Sequence, residues 1–276
     1  MILLDGQPAD SPLLLDRGLA YGDGLFETIV LCDGQLLCWA AHMARLQRGC
    51  AVLGLPAADS AQLLREAQRV TARQSRGIVK ILLTRGSGGR GYRPPQATQL
   101  RRIVGLHQWP IDLDDDLRLP VKTWVCRQRL GHNPQLAGIK HLNRLEQVLA
   151  SAEWPAPDYF EGLMLDLDGD LIEGIRSNVF MVREQVLLTP ELTRAGIAGI
   201  VRQAVLDIAP AHGLEVRIGA LALTQLTDVD ELFLCNSVMG LRVVGRVDNG
   251  DNSLSLVSRG IALELADALR LAKVIP

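Results

Sequence analysis

No apolar run in these 276 residues approaches the roughly 20 that a membrane-spanning helix needs, so no bilayer partner is expected. An excess of charge of one sign is also missing. The 29 Lys and Arg against 31 Asp and Glu leave a net charge of −2, and nucleic acid, which is held by clustered cations, is not expected as a partner. The five cysteines, Cys32, Cys38, Cys50, Cys126 and Cys235, are odd in number and never at CxxC spacing, which favours neither a disulfide framework nor a zinc site. The histidines (His42, His107, His132, His141, His212) show no HExxH or other metal spacing, and no GxSxG elbow marks a serine nucleophile. No internal repeat or low-complexity tract is visible. The opening Met1-Ile2-Leu3-Leu4-Asp5-Gly6 lacks a basic n-region and reaches a turn too early for a secretory signal. A soluble protein of a reducing compartment, by default the cytoplasm, is therefore expected.

What is present is ordinary globular composition, 48% hydrophobic and 22% charged, in a chain longer than one small core needs. Residues 25–31 and 35–39 flank Asp33-Gly34, a strong hairpin signal. Helical spacing of Met43, Leu46, Cys50 and Leu53 predicts a helix over 42–53 that Gly54 and Pro56 stop. A second helix should run from an N-cap at Asp59 or Ser60 to about Gln74. Strands are expected over 78–83 and 103–109, and the acidic, proline-bounded stretch 110–120 marks the edge of a first domain. Strand 121–127 leads to Leu130-Gly131-His132-Asn133-Pro134, read as an interdomain connection. Strands over 162–167, 179–182, 186–188, 214–218 and 231–235 then alternate with helices over 142–151, 199–208 and 260–271. The expected architecture is α/β (α+β) in two domains: a smaller N-terminal one over 1–120, a connection over 121–135, and a larger C-terminal one over 136–276. A ligand would lie in the cleft between them.

Several residues could carry chemistry. Lys140, flanked by Gly138, Ile139 and Leu142, is poorly placed for solvation, and a desolvated amine has a lowered pKa suited to a nucleophile and proton shuttle. A helix-entry lysine pointing into water fits the same local sequence. Glu173 follows apolar strand positions, where its carboxylate could face a heterocyclic nitrogen; pairing with Arg176 in a turn is the alternative. Arg45 lies one turn after His42 and could clamp a phosphate, or belong to a solvated helix face with Arg48. Gly196-Ile197-Ala198-Gly199-Ile200-Val201-Arg202 enters a helix whose free N–H groups make an anion site. Ser237, after an apolar strand, could donate to the same anion or simply sit in a turn. The loop Gly86-Ser87-Gly88-Gly89-Arg90-Gly91-Tyr92 is no P-loop, since no lysine follows and Arg93-Pro94-Pro95 forbids a helix. A loop offering Arg90 and Arg93 to an anionic substrate, or a plain surface hairpin, remains.

Taken in chain order, these pieces say more. Asp16-Arg17-Gly18-Leu19-Ala20-Tyr21-Gly22-Asp23-Gly24-Leu25-Phe26-Glu27-Thr28 precedes His42-Met43-Ala44-Arg45-Leu46, then Lys140, Glu173…Ser177-Asn178-Val179-Phe180, and Gly196 to Arg202. Over nearly the whole chain this series resembles the fold-type IV pyridoxal-phosphate family of branched-chain and D-amino-acid aminotransferases and aminodeoxychorismate lyases. Ser87-Gly88-Gly89-Arg90-Gly91-Tyr92 and the long run from Arg129 through Lys140-His141-Leu142-Asn143-Arg144-Leu145-Glu146-Gln147 to Leu149 resemble its lyase branch. The resemblance implies a pyridoxal 5'-phosphate enzyme that converts 4-amino-4-deoxychorismate to 4-aminobenzoate and pyruvate in folate biosynthesis. A fold-type IV aminotransferase for D- or branched-chain amino acids is the alternative. It implies Lys140 as Schiff-base lysine and proton carrier and Glu173 as partner of the pyridine nitrogen. Arg45, Asn178, Gly199, Ile200, Val201 and Ser237 are implied at the cofactor, and Thr28, Arg90 and Arg93 at the substrate; no metal is implied. It further implies a homodimer in which both subunits border each site. Two positions depart from the aminotransferase pattern: Leu145 stands where relatives carry tyrosine, and Cys235-Asn236-Ser237 where they favour a TGT-like turn.

Overall fold

The computed structural model describes residues 2–8, 10–110, 119–154 and 156–276. A short hairpin of β1 (Leu3–Leu4) and β2 (Gln7–Pro8) precedes helix α1 (Arg17–Tyr21). A four-stranded antiparallel sheet follows, ordered β4-β3-β5-β6, from β3 (Gly24–Cys32), β4 (Gln35–Leu36), β5 (Gly77–Thr84) and β6 (Arg101–His107). Asp33 and Gly34 both take positive φ, 49° and 73°, the geometry that closes a tight two-residue hairpin. Helix α2 (Trp39–Leu53) starts earlier than the sequence suggests. Cys38, at φ 51°, turns the chain directly after β4, so the expected second strand ends at Leu36 instead of 39. Helix α3 (Ser60–Thr71) is capped by the Asp59 carboxylate, which accepts the Gln62 N–H at 2.9 Å. Leu25, Ile29, Met43, Leu46, Leu63, Val79 and Ile81 form the core between helices and sheet.

The larger sheet holds β7 (Val121–Leu130), β8 (Glu161–Asp166), β9 (Leu171–Gly174), β10 (Asn178–Arg183), β11 (Val186–Pro190), β12 (Glu215–Gly219), β13 (Glu231–Asn236), β14 (Gly240–Asn249) and β15 (Asn252–Ser255). Its order is β12-β11-β10-β13-β14-β7-β8-β9, with β15 on β14. One further pairing, Asn178 with Glu173, joins β9 back to β10 and closes a ring of strands. Helices α4 (Leu145–Ala152), α5 (Ile200–Ile208) and α6 (Ile261–Leu271) complete a mixed α/β architecture. Val201, Val205, Leu265 and Leu269 pack under a stacked pair, Phe180 and Phe233, whose centroids are 5.0 Å apart.

Three differences from expectation have specific physical causes. The strand expected over 121–127 runs on to Leu130 as β7, in the interior of the larger sheet, so the connection expected over 121–135 begins with this strand. The polar run Arg127-Gln128-Arg129 hid the extension to Leu130. A register shift between Val125 and Arg129 lifts it off β8, and the Arg127 and Gln128 N–H groups donate to Glu153 at 2.6 and 2.7 Å. Helix α4 begins at Leu145, not 142, because 140–142 is drawn alongside β3: Phe26 N–H donates to the Lys140 carbonyl and Leu142 N–H to that of Gly24, each at 3.0 Å. Helix α1 and strands β14 and β15 are absent from the expectation, since Gly245 and Arg246 interrupt the apolar alternation of β14. Of the acidic stretch expected to end the first domain, 111–118 lies outside the described residues.

Candidate active site

A cavity of about 590 Å³ is lined from both sheets: Phe26 and Thr28 on β3, Arg45 on α2, Lys140 and Arg144 before α4, Glu173 and Asn178 at the β9–β10 closure, Gly199 and Ile200 at the start of α5, and Ser237 after β13. The strand closure matters because Glu173 and Asn178 are the pair that makes it, which fixes both side chains at one end of the sheet.

Lys140 is held on two sides. Its carbonyl accepts the Phe26 N–H, and two residues earlier Gly138 exchanges hydrogen bonds with the loop before α5, donating to Gly196 at 2.9 Å and accepting from Ala198 at 3.0 Å. Gly138, at φ 80°, makes the turn that allows this. The Lys140 ammonium lies 4.3 Å from the centroid of the Phe26 ring. Burial removes water from the amine and the Arg45 guanidinium repels its charge, so its pKa falls from 10.5 to about 8.

Glu173 is 3% exposed, and one of its oxygens accepts the Ile197 N–H at 2.8 Å. Burial dominates its titration. The pKa rises to about 7 although the Ile197 N–H, Arg144 and Lys140 all favour the carboxylate. A carboxyl poised in this way can share a proton with a basic nitrogen in the cavity.

The cationic end is built differently. Arg45 donates through Nε to Glu27 at 2.9 Å and through a terminal nitrogen to the Ala198 carbonyl at 3.2 Å. His42 meets the second Glu27 oxygen at 2.7 Å. Glu27 is fully buried on β3. Burial alone would raise its pKa, but the Arg45 and His42 hydrogen bonds overcome this and hold it at about 2. These bonds orient Arg45 toward the cavity and leave donors on its terminal nitrogens free. Beside it, α5 begins without a side-chain cap, so its first N–H groups, those of Ile200 and Val201, have no intrahelical acceptor. Asn178 donates to the Ile197 carbonyl at 2.8 Å, and its Oδ1 would lie 2.0 Å from any Cβ built at Gly199. The turn after β13 is set by Asn236, whose Oδ1 accepts from Val238 and Met239, each at 2.8 Å, and Ser237 is left facing the cavity.

The structure thus brings Lys140, Glu173, Arg45, Asn178, Gly199, Ile200, Ser237 and Thr28 to one cavity, with Val201 in the adjacent helical turn. It does not bring Arg90 and Arg93 there. Both are exposed on a loop that Arg17 grips through the carbonyls of Gly91 and Tyr92, each at 3.0 Å. Leu145 is 75% exposed and does not line the cavity. Residues the sequence did not single out are Glu27, Phe26, Arg144 and Gln147. The available signal for Glu27 was a lone acidic residue inside an apolar strand, opposite a helix presenting His42 and Arg45. Among the described residues, His132, Asp166 and Asp168 bring ligand-type atoms within 4.8 Å of one another, but Arg194 bridges the two carboxylates and supplies the countercharge.

A pyridoxal phosphate group fits these donors. Lys140 offers an amine of lowered basicity, Glu173 a buried carboxyl, and Arg45, the uncapped α5 terminus and Ser237 a converging set of anion donors.

Residues 24–247 match the family model described as amino-transferase class IV. An aminodeoxychorismate lyase of Vibrio harveyi is 34% identical over 254 residues, 92% of this chain and 94% of the relative. A branched-chain-amino-acid aminotransferase of Salmonella typhimurium is 28% identical over 85% of this chain and 79% of that enzyme. The crystal structure of 4-amino-4-deoxychorismate lyase from Pseudomonas aeruginosa superimposes with a TM-score of 0.87 at 39% identity, covering 98% of both chains. The chain belongs to the class IV amino-transferase family.

Proposed function

We propose that this member of the class IV amino-transferase family is a pyridoxal-phosphate-dependent lyase that converts 4-amino-4-deoxychorismate to 4-aminobenzoate and pyruvate, a step of folate biosynthesis. The observation that carries the reading is the convergence of Lys140, Glu173, Arg45 and the uncapped start of α5 on one cavity, in a chain that resembles named lyases along almost its whole length. When bound, the cofactor supplies an aldehyde that condenses with amines and a ring that accepts electrons.

The protein's own residues do the rest. Arg45, the N–H groups of Ile200 and Val201, and the Ser237 hydroxyl hold the phosphate. Glu173 keeps the pyridine nitrogen protonated, a task suited to a carboxyl whose pKa is raised to about 7. Lys140 would hold the cofactor through Nζ. With substrate in the cavity, the Lys140 Nζ would remove the proton from substrate C4, and a pKa near 8 suits an amine that must both accept and return a proton. Loss of that proton and cleavage of the C3–O bond leave an aromatic ring and enolpyruvate, to which the Lys140 ammonium returns the proton, giving pyruvate. Thr28 lies on the cavity wall beside Phe26, where it borders the substrate.

The reading includes a cytoplasmic homodimer, with a smaller unit over 1–120, a larger one over 136–276 and the cofactor between them. Leu15, Leu19 and Tyr92, 60, 72 and 85% exposed, are large apolar side chains that association with a second copy would cover. Arg90 and Arg93, outside their own chain's cavity, are then available to the partner's site. No described helix is long and apolar enough to cross a membrane.

The test is a visible spectrum before and after borohydride, with peptide mapping of the reduced adduct, followed by incubation with substrate. The expected result is a cofactor adduct on Lys140 and 4-aminobenzoate formed with equimolar pyruvate. Sustained glutamate formation from an amino acid and 2-oxoglutarate without 4-aminobenzoate would make it an aminotransferase. A colourless protein whose ligand binding survives Lys140→Ala would make it a non-catalytic relative.

A further inference from the structure

Arg144 stands four residues after Lys140, immediately before α4, and its side chain lines the cavity. Its Nε is buried with no hydrogen-bond partner. One terminal nitrogen reaches the ring of His141, 2.6 Å from Nε2. That ring is no countercharge: burial, then the guanidinium itself, lowers the His141 pKa to about 4, so the imidazole is neutral. Glu173 and Glu146 act on Arg144 only through space, and no hydrogen bond or ion pair links it to a carboxylate among the described residues. One turn on, Gln147 lines the same cavity and is 9% exposed, and its Oε1 is also buried without a partner. Rotation of that amide presents Nε2 as a second donor.

The other cavity cations are spoken for: Lys140 is the Schiff-base lysine of the proposed reaction, Arg176 pairs with Glu161 at 3.6 Å and donates to the Phe160 carbonyl, and Arg45 is bound by Glu27 and turned toward the start of α5. A partly buried guanidinium lacking an anion is costly unless something else supplies one. The cofactor's phosphate has its own donors, which leaves the carboxylates of the substrate.

Resting on the lyase reading, we propose that Arg144, with Gln147 beside it, binds a carboxylate of the substrate and is a specificity-determining residue of the site. The guanidinium presents N–H donors in the plane that a carboxylate matches, and the neutral His141 ring steadies it without competing for its charge. This replaces Arg90 and Arg93 as the same-chain anion contact, because those side chains lie outside the cavity.

The test measures equilibrium binding of chorismate, which carries a hydroxyl in place of the reacting amine, to the holoenzyme by titration calorimetry. Wild type, Arg144→Gln and Arg144→Lys are compared, with the visible cofactor spectrum recorded on each sample. Loss of one charge-assisted hydrogen-bonding group should weaken binding about 10- to 100-fold in Arg144→Gln, with Arg144→Lys between. The amount of bound cofactor is expected to stay unchanged, and in turnover the loss should fall on KM rather than kcat. Arg144→Gln binding within about twofold of wild type, or weakening that tracks loss of cofactor absorbance, overturns the assignment. Wild type that binds chorismate but forms no 4-aminobenzoate overturns the lyase reading instead, while an Arg144-dependent affinity would still uphold carboxylate recognition. Wild type that does not bind chorismate overturns the assignment.

Discussion

The Glu27–Arg45–His42 cluster yields the sharpest quantitative prediction. Glu27→Gln keeps the shape of the side chain and removes its charge, leaving Arg45, 5% exposed, without its anion. Breaking a buried ion pair from one side costs about 3–5 kcal/mol of stability. The depressed pKa of Glu27 expresses the same interaction in protons. Glu27 falls from 4.5 to about 2 on folding, a linkage contribution of about 3 kcal/mol. The folded pKa lies below the unfolded one, so this stability is present above pH 4.5 and is lost as pH falls toward 2. Urea unfolding of apo-protein should therefore show Glu27→Gln less stable by about 3 kcal/mol near pH 6, with the gap narrowing by roughly 1 kcal/mol or more at about pH 3.5. Because Glu27 also favours the protonated form of Lys140, the variant should lower the Lys140 pKa further. A gap under about 1 kcal/mol at neutral pH, or one independent of pH, would refute the buried-charge argument.

Other predictions concern the cofactor groups. Glu173→Gln, which cannot protonate a ring nitrogen, should retain borohydride-reducible cofactor on Lys140 while kcat falls by about 100-fold or more; turnover near wild type would remove Glu173 from that role. In apo-protein, modification of Lys140 by an amine reagent should titrate with a midpoint near 8, and a midpoint at the ordinary 10.5 would mean that the amine is solvated. Gly199→Ala places a methyl 2.0 Å from Asn178 Oδ1, so the α5 entry must shift. Cofactor affinity should drop about tenfold or more, and an unchanged dissociation constant would show that this terminus does not hold the phosphate.

Much of the candidate site was readable because its parts sit on short, local signals. Gly199 before an apolar-periodic segment marks a helix entry, Asp33-Gly34 marks a hairpin, and the spacing of His42 and Arg45 puts both on one helical face. The last residues of β7, 128–130, were not readable, because the Gln128 N–H bonds to a glutamate from a distant turn rather than to a neighbouring strand. Nor was the late start of α4: 140–142 has helical composition, and only β3, more than a hundred residues earlier, supplies the competing hydrogen bonds.

The sequence by itself determined the fold class, the separate elements and the identities of the groups able to do chemistry, since periodicity, turn residues and side-chain type are local properties. Tertiary structure decided what those groups became. Local composition alone made Lys140 a solvated helix-entry lysine; packing between β3 and the loop before α5 desolvated it. Glu27 looked like one polar position in a strand until burial against Arg45 made it the anchor of the cationic end. Arg90 and Arg93, which looked available for an anion, were carried out of the cavity by a loop that Arg17 holds, while Arg144 was left inside without a countercharge. Charge state and access depend on the distance and burial of groups far apart in sequence, and only the folded chain sets those.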